Sequence, residues 1–155
     1  MVEALRDQLT QMAEQAEPEV RIAALRALVG HGAHAAAPRL VKRAQESSFH
    51  KLPEGERREL LAALYSLDPE RGEPVVIDIV QKHGLFVDEA IEQTRALAAD
   101  LLGQRARSNE ALQAVLAATK RRWWNTQPLR DAAARAAEAI GARLGKRISA
   151  GGEGQ

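Results

Sequence analysis

Val20-Arg21-Ile22-Ala23-Ala24-Leu25-Arg26-Ala27-Leu28 is the stretch on which the fold turns. Arg21, Ala24 and Leu28 stand at offsets of zero, three and seven, which an α-helix places on one face. The same triplet returns as Arg57–Leu60–Leu64, Arg95–Ala98–Leu102 and Arg130–Ala133–Ala137, at steps of 36, 38 and 35 residues between the arginines. A helical face repeating with this period is the mark of stacked helical hairpins, each too small to bury its apolar face alone. The fold class expected is therefore all-α, a right-handed α-solenoid of about four hairpins, with residues 1–146 forming one domain.

Between these helices lies a second set. Ala36-Ala37, Leu40-Val41 and Ala44 carry apolar residues at a four-residue beat, and Val75-Val76, Ile79-Val80 and then Ala111-Leu112, Val115-Leu116 repeat it. So wide a stripe suits a helix packed against two neighbours. The punctuation agrees. Asp68-Pro69 reads as an N-cap followed by proline at the first helical position, Glu17-Pro18 and Gln127-Pro128 are similar starts, and Asp88 and Ser108 are candidate N-caps. Gly30 and Gly32 close the first repeat helix, and Gly84, Gly103 and Gly141 stand where left-handed C-terminal caps are expected. Helices are predicted over 2–15, 18–30, 34–46, 54–67, 70–83, 88–103, 108–122 and 127–144, with a disordered tail over 147–155.

Composition points the same way. Hydrophobic residues make up 45% of the 155 but aromatics only 3%, so the apolar content is Ala, Leu, Val and Ile, rich in helix formers. There is no cysteine, which excludes disulfides, thiolate metal sites and cysteine nucleophiles. Met1–Asp7 carries acids and no apolar core of a signal peptide, and no uncharged apolar run is long enough to span a membrane. The chain is expected to be soluble and cytoplasmic. Its net charge of +1 hides an asymmetry, −5 over residues 1–104 against +7 over 105–147.

At the level of whole segments, Val20–Leu28 and Thr94–Gly103 resemble the first helix of bacterial HEAT repeats, and Phe49–Leu64 resembles a variant repeat of multi-repeat HEAT proteins. The likeness covers about residues 17–144. It departs at Ser66-Leu67-Asp68, where a glycine turn is usual. The resemblance implies a scaffold or adaptor rather than a reaction. It also implies that the repeat arginines Arg21, Arg57, Arg95 and Arg130 are structural, each pairing with an acid of the adjacent repeat, in place of a ligand-binding ladder. As exposed pairs they would be worth ~0–1 kcal/mol each, so apolar burial would drive the stacking.

Lys120-Arg121-Arg122-Trp123-Trp124-Asn125 is the most unusual segment, with both tryptophans beside three cations. Placed at a helix C-terminus, the cations complement the helix dipole. Neighbouring helical side chains diverge by about 100°, so one tryptophan is expected to cap the core and the other to stand exposed. An arginine over an indole would form a cation–π pair. The segment has three readings: structural, protein contact, or phosphate contact. Arg39, Lys42 and Arg43, with Lys82, are expected on the concave face of the second helices. Together with Lys120, Arg121, Arg122, Trp123 and Trp124 they form the candidate partner-binding set. Phe49, Leu52, Leu85 and Phe86 fall in loops and are expected to plug hairpin ends.

Catalysis finds no motif. The serines lie in loops, caps or the tail, and no phosphate-cradling or dinucleotide fingerprint occurs. His31 and His34 straddle a glycine turn without a third ligand, and His83 precedes Gly84 as an ordinary helix-terminal residue. No enzyme activity, cofactor or metal is expected. The expected partner is a protein bound through the concave face and the basic–aromatic corner. Nucleic acid held by the basic C-terminal third is the alternative, and the solenoid ends are candidate self-association surfaces.

Overall fold

A computed structural model of the chain describes residues 2–146, and these are all-helical, with no strand among them. Eight α-helices follow in order: α1 Glu3–Gln15, α2 Pro18–Gly30, α3 Ala37–Gln45, α4 Glu54–Leu67, α5 Pro69–Gln81, α6 Glu89–Arg105, α7 Asn109–Ala118 and α8 Gln127–Arg143. The expected tail over 147–155 lies outside the described residues. The chain divides into two compact units, Met1–Val75 and Val76–Gln155, with the division falling within α5.

In the first unit α2 packs on α1 and on α4, and α3 packs on α4. Leu25 and Leu28 of α2 and Leu60, Leu61 and Leu64 of α4 are buried between them, so the offsets that marked the repeat do face the core. Fully burying each such leucine contributes about 1.5–3 kcal/mol. In the second unit α6 and α7 both pack on α8, and the seam is mostly alanine: Ala98, Ala99, Ala132, Ala133, Ala136 and Ala137. Small residues let the helices approach so closely that a Cβ on Gly103 would stand 2.9 Å from the Ala136 Cα.

That approach corrects one expectation. Gly103 lies inside α6, which runs on to Arg105, and Gly141 lies inside α8. The left-handed glycines among the described residues are Gly32 (φ 62°) and Gly145 (φ 69°). Each closes a helix with paired backbone bonds: Ala33 N–H to Leu28 and Gly32 N–H to Val29, and Lys146 N–H to Gly141 and Gly145 N–H to Ala142. Arg143 covers the end of α6 by donating to the Gly103 and Ala106 carbonyls, a cation placed against a helix C-terminus.

Three of the five expected helix starts bond as read, whereas Glu17 makes no side-chain cap bond before α2 and the cap position of α8 falls to Thr126, with Gln127 already helical. Asp88 accepts from the Ile91 N–H, Ser108 from the Ala111 N–H and Asp68 from the Arg71 N–H. The helix expected over 34–46 breaks in two, a 3-10 turn His34–Ala36 and then α3. Pro38 explains the break, because it has no N–H to donate back to His34. A second 3-10 turn, Ser47–Lys51, turns Phe49 fully inward, as its expected plugging role requires.

Candidate functional site

The repeat arginines do not form one ladder. Arg21 grips Glu56 with two bonds, Nε to Oε1 at 2.5 Å and Nη2 to Oε2 at 2.7 Å, and its Nη1 donates to the Ala16 carbonyl. Glu56, on α4 and 35 residues away, is 0% exposed. It also accepts from Arg43 Nη2 at 3.3 Å. The Glu56 hydrogen bonds raise the Arg21 guanidinium above its ordinary range, outweighing the opposing effect of burial. This pair is the expected link to an acid in the adjacent repeat, but it is buried rather than exposed, and it belongs to the core of the first unit. Burial pushes the Arg57 guanidinium the other way, down. Arg130 donates to the Asn125 carbonyl and to Gln127.

Arg39, Lys42 and Arg43 line a concavity of about 360 Å³ together with Glu14 and Glu46. Arg39 pairs with Glu14 at 2.5 Å, and Arg43 is committed to Glu56 and to the Glu14 carbonyl. Of the three, only Lys42 is exposed without a partner among the described residues. The first half of the expected binding set is thus mostly internal wiring of α1, α3 and α4.

The second half is different. α7 ends at Ala118, four residues short of the expected terminus, so Lys120–Trp124 belongs to a loop rather than a helix end. Local chemistry stops the helix. Thr119 Oγ1 donates to the Leu116 carbonyl, and the buried Asn125 donates its Nδ2 to the Ala117 and Lys120 carbonyls, taking up acceptors that a further turn would have used.

Arg95 holds this loop from beneath. It is 2% exposed. Its Nε donates to the Val80 carbonyl near the end of α5. Nη1 donates to Glu92 and to the Trp124 carbonyl, and Nη2 to Asn125 Oδ1 at 3.1 Å. Glu92, itself buried, extends the network by accepting from the Thr126 N–H and hydroxyl. The third repeat arginine therefore pairs within its own helix and otherwise spends its donors on a carbonyl near the end of α5 and on the carbonyl and amide of the segment between α7 and α8.

Above this anchor the aromatic side chains gather. His83 stacks on Trp124 with ring centroids 4.6 Å apart and planes 18° from parallel. It meets Trp123 edge-on at 6.0 Å, and the two indoles meet at 5.3 Å and 89°. The ring that covers Trp124 is an imidazole, not the expected guanidinium, and His83 is more than a helix-terminal residue. Trp124 is half-buried and Trp123 is 58% exposed, the split expected of the pair.

Sequence reasoning misjudged the segment beside them. Leu85 and Phe86 plug nothing: they are 87% and 85% exposed, and Val87 is 55% exposed. The sequence carries a signal, since three large apolar residues follow Gly84 in a loop just before the Asp88 cap. Pattern alone cannot tell a plug from a protrusion. Lys82, Lys120, Arg121 and Arg122 are all exposed, and none has an ion-pair or hydrogen-bonding side-chain partner among the described residues. The result is a corner of the second unit where apolar and aromatic side chains stand in water among four unneutralised cations.

Elsewhere His34 serves the backbone. His34 Nδ1 donates to the Leu67 carbonyl at 2.6 Å, 33 residues on, at the end of α4. Among the described residues no three metal-ligating side chains converge, and no helix is long and apolar enough to cross a membrane. What the fold and site define is an all-helical protein with one conspicuous exposed corner. No protein-family model matches the chain, and no curated protein matches it significantly.

Proposed function

We propose that this chain is a non-catalytic scaffold or adaptor of HEAT-like helical repeats that binds a protein partner through the corner formed by Lys82–Val87 and Lys120–Trp124. The repeat architecture is supported by the spacing of bonds inside each unit. Arg21–Glu56, Arg26–Glu59 and His34–Leu67 in the first, and Glu92–Thr126, Arg135–Asp100 and Lys146–Asn109 in the second, all join residues 33 to 37 apart. About one repeat length separates the partners in each of these six bonds, the spacing that stacked hairpins would give. A right-handed solenoid and a cytoplasmic location belong to the same proposal.

One observation carries the functional part: Leu85, Phe86 and Trp123 are all exposed, on two segments joined by the contact of His83 with Trp123. Aromatic and large apolar side chains in water at one place cost free energy that a partner recovers on binding, and tryptophan is enriched at the energetic centres of interfaces. Of the residues expected on a concave face, Arg39 and Arg43 are occupied internally, so the binding surface narrows to the corner. Affinity capture with tagged protein tests this, comparing wild type with a Phe86→Ser/Trp123→Ala variant of unchanged far-UV circular dichroism. A partner retained by wild type and lost by the variant is the expected result. Equal capture by both would remove the corner from the function. The nucleic-acid reading rests on the same four cations and predicts a salt-dependent signal with a labelled duplex that disappears in Arg121→Ala/Arg122→Ala.

A further inference from the structure

The chemistry of the corner narrows its partner, on the reading that it is a protein-binding surface. Three classes of occupant would be drawn to exposed apolar side chains ringed by cations: an anionic membrane, a single-stranded nucleic acid and an acidic peptide.

The backbone of the loop argues against the first. The N–H and C=O groups of Leu85 and Phe86 make no hydrogen bond among the described residues. Both residues are exposed, so these groups face solvent. Sinking this irregular segment into hydrocarbon would strip that solvent and offer nothing in return, which is why unpaired loops are not found at lipid depth. An extended peptide brings its own N–H and C=O groups and can pair with those of the loop.

The side chains argue against the second. Nucleic acids bind such sites by stacking bases on open aromatic faces. Trp124 already has a ring against its face, His83 at 4.6 Å, and Leu85 and Val87 have no π face to offer. Phe86 and Trp123 are the aromatic groups left, against two aliphatic ones. Aliphatic anchors suit leucine, valine or phenylalanine side chains of a peptide.

Charge then selects among peptides. Lys82, Lys120, Arg121 and Arg122 are unneutralised and outnumber the exposed acids that follow the loop, Asp88 and Glu89, of which Asp88 is bound to the N-terminus of α6 through the Ile91 N–H. A basic segment would meet uncompensated repulsion and an acidic one would be steered in. We infer that the corner binds an extended acidic peptide segment carrying at least one large apolar anchor. Its acids would pair with Lys120, Arg121 and Arg122, and its anchor would lie against Phe86 and Trp123.

Full-length protein titrated into short fluorescein-labelled peptides tests this by anisotropy. The first peptide alternates Glu with other residues around a central Leu-Phe pair. The second replaces each Glu by Lys, and the third replaces Leu-Phe by Ser-Ser. A labelled oligo-dT and phosphatidylserine–phosphatidylcholine vesicles are run alongside. Saturable binding of the first peptide is expected, weakened at least about tenfold in each of the other two. Phe86→Ser, which removes an 85% exposed side chain and leaves the fold untouched, is expected to weaken it by at least about tenfold. Arg121→Ala/Arg122→Ala is expected to do the same and to flatten the dependence on salt. Absence of binding, equal binding of the lysine peptide, indifference to both variants, or preference for vesicles or oligo-dT would each overturn the inference. Capture of a partner that depends on Trp123, with no response to the acidic peptide, would leave the adaptor standing and remove only the acidic class.

Discussion

Replacing Glu56 with alanine probes the physical claim that the Arg21–Glu56–Arg43 cluster is core rather than surface. The carboxylate is 0% exposed and receives three charged bonds, at 2.5, 2.7 and 3.3 Å. Removing it leaves two guanidinium groups, whose side chains are each only 16% exposed, with no counter-charge. Truncating one partner of a buried ion pair costs about 3–5 kcal/mol, because the remaining charges stay desolvated. Glu59→Ala is the matched control, since it breaks the Arg26–Glu59 pair three residues along α4 from Glu56 in a far more exposed setting. That pair is worth about 0–1 kcal/mol. Urea unfolding followed by circular dichroism separates the two. With a slope of roughly 2 kcal/mol per molar urea, Glu56→Ala should lower the midpoint by about 1.5–2.5 M and Glu59→Ala by less than about 0.5 M. Tyr65, the sole tyrosine, lies in the first unit and provides a local signal for its unfolding. A Glu56→Ala midpoint within error of Glu59→Ala would refute the argument, because it would mean the cluster is solvated in solution.

Further outcomes follow from other features. Gly103→Ala drives a methyl to 2.9 Å from the Ala136 Cα and should cost about 1–3 kcal/mol, read as a lowered Tm. Gly30→Ala, with open space at its Cβ, should not destabilise. Asn125→Ala strips partners from Arg95 and from the Ala117 and Lys120 carbonyls, so a loss of about 1–3 kcal/mol is expected, with a change in tryptophan emission as the loop loosens. Ser108→Ala removes the α7 N-cap and should cost about 1 kcal/mol in a urea titration. Acrylamide should quench Trp124→Phe, which keeps the exposed Trp123, more strongly than Trp123→Phe.

Helix positions were legible because burial and periodicity coincide. Leu28, Leu60, Leu64, Ala98, Leu102, Ala133 and Ala137 are buried where offsets of three and seven put them. What escaped was decided by contacts that sequence spacing does not encode. Glu56 beside Arg57 reads as a solvated pair of charges, and only the fold of α2 against α4 reveals that it sits under Arg21. Phe49 and Phe86 look alike in sequence, each an aromatic residue in a loop. One is turned inward by a 3-10 turn, while the other follows a glycine into a stretch with no hydrogen bonds to hold it down. The end of α7 was hidden for the same reason, since Asn125 stops the helix from seven residues beyond its last turn.

Arg95 has a consequence for how the corner could change over time. One buried guanidinium fixes the chain at Val80 and at Trp124, so the backbone on either side of the exposed patch is set independently of the side chains that decorate it. Residues 84–87 and 120–123 can therefore be exchanged wholesale while the frame stays in register. A lineage, or an engineer, could retarget the molecule by rewriting those two short stretches and leaving Arg95, Glu92 and Asn125 alone.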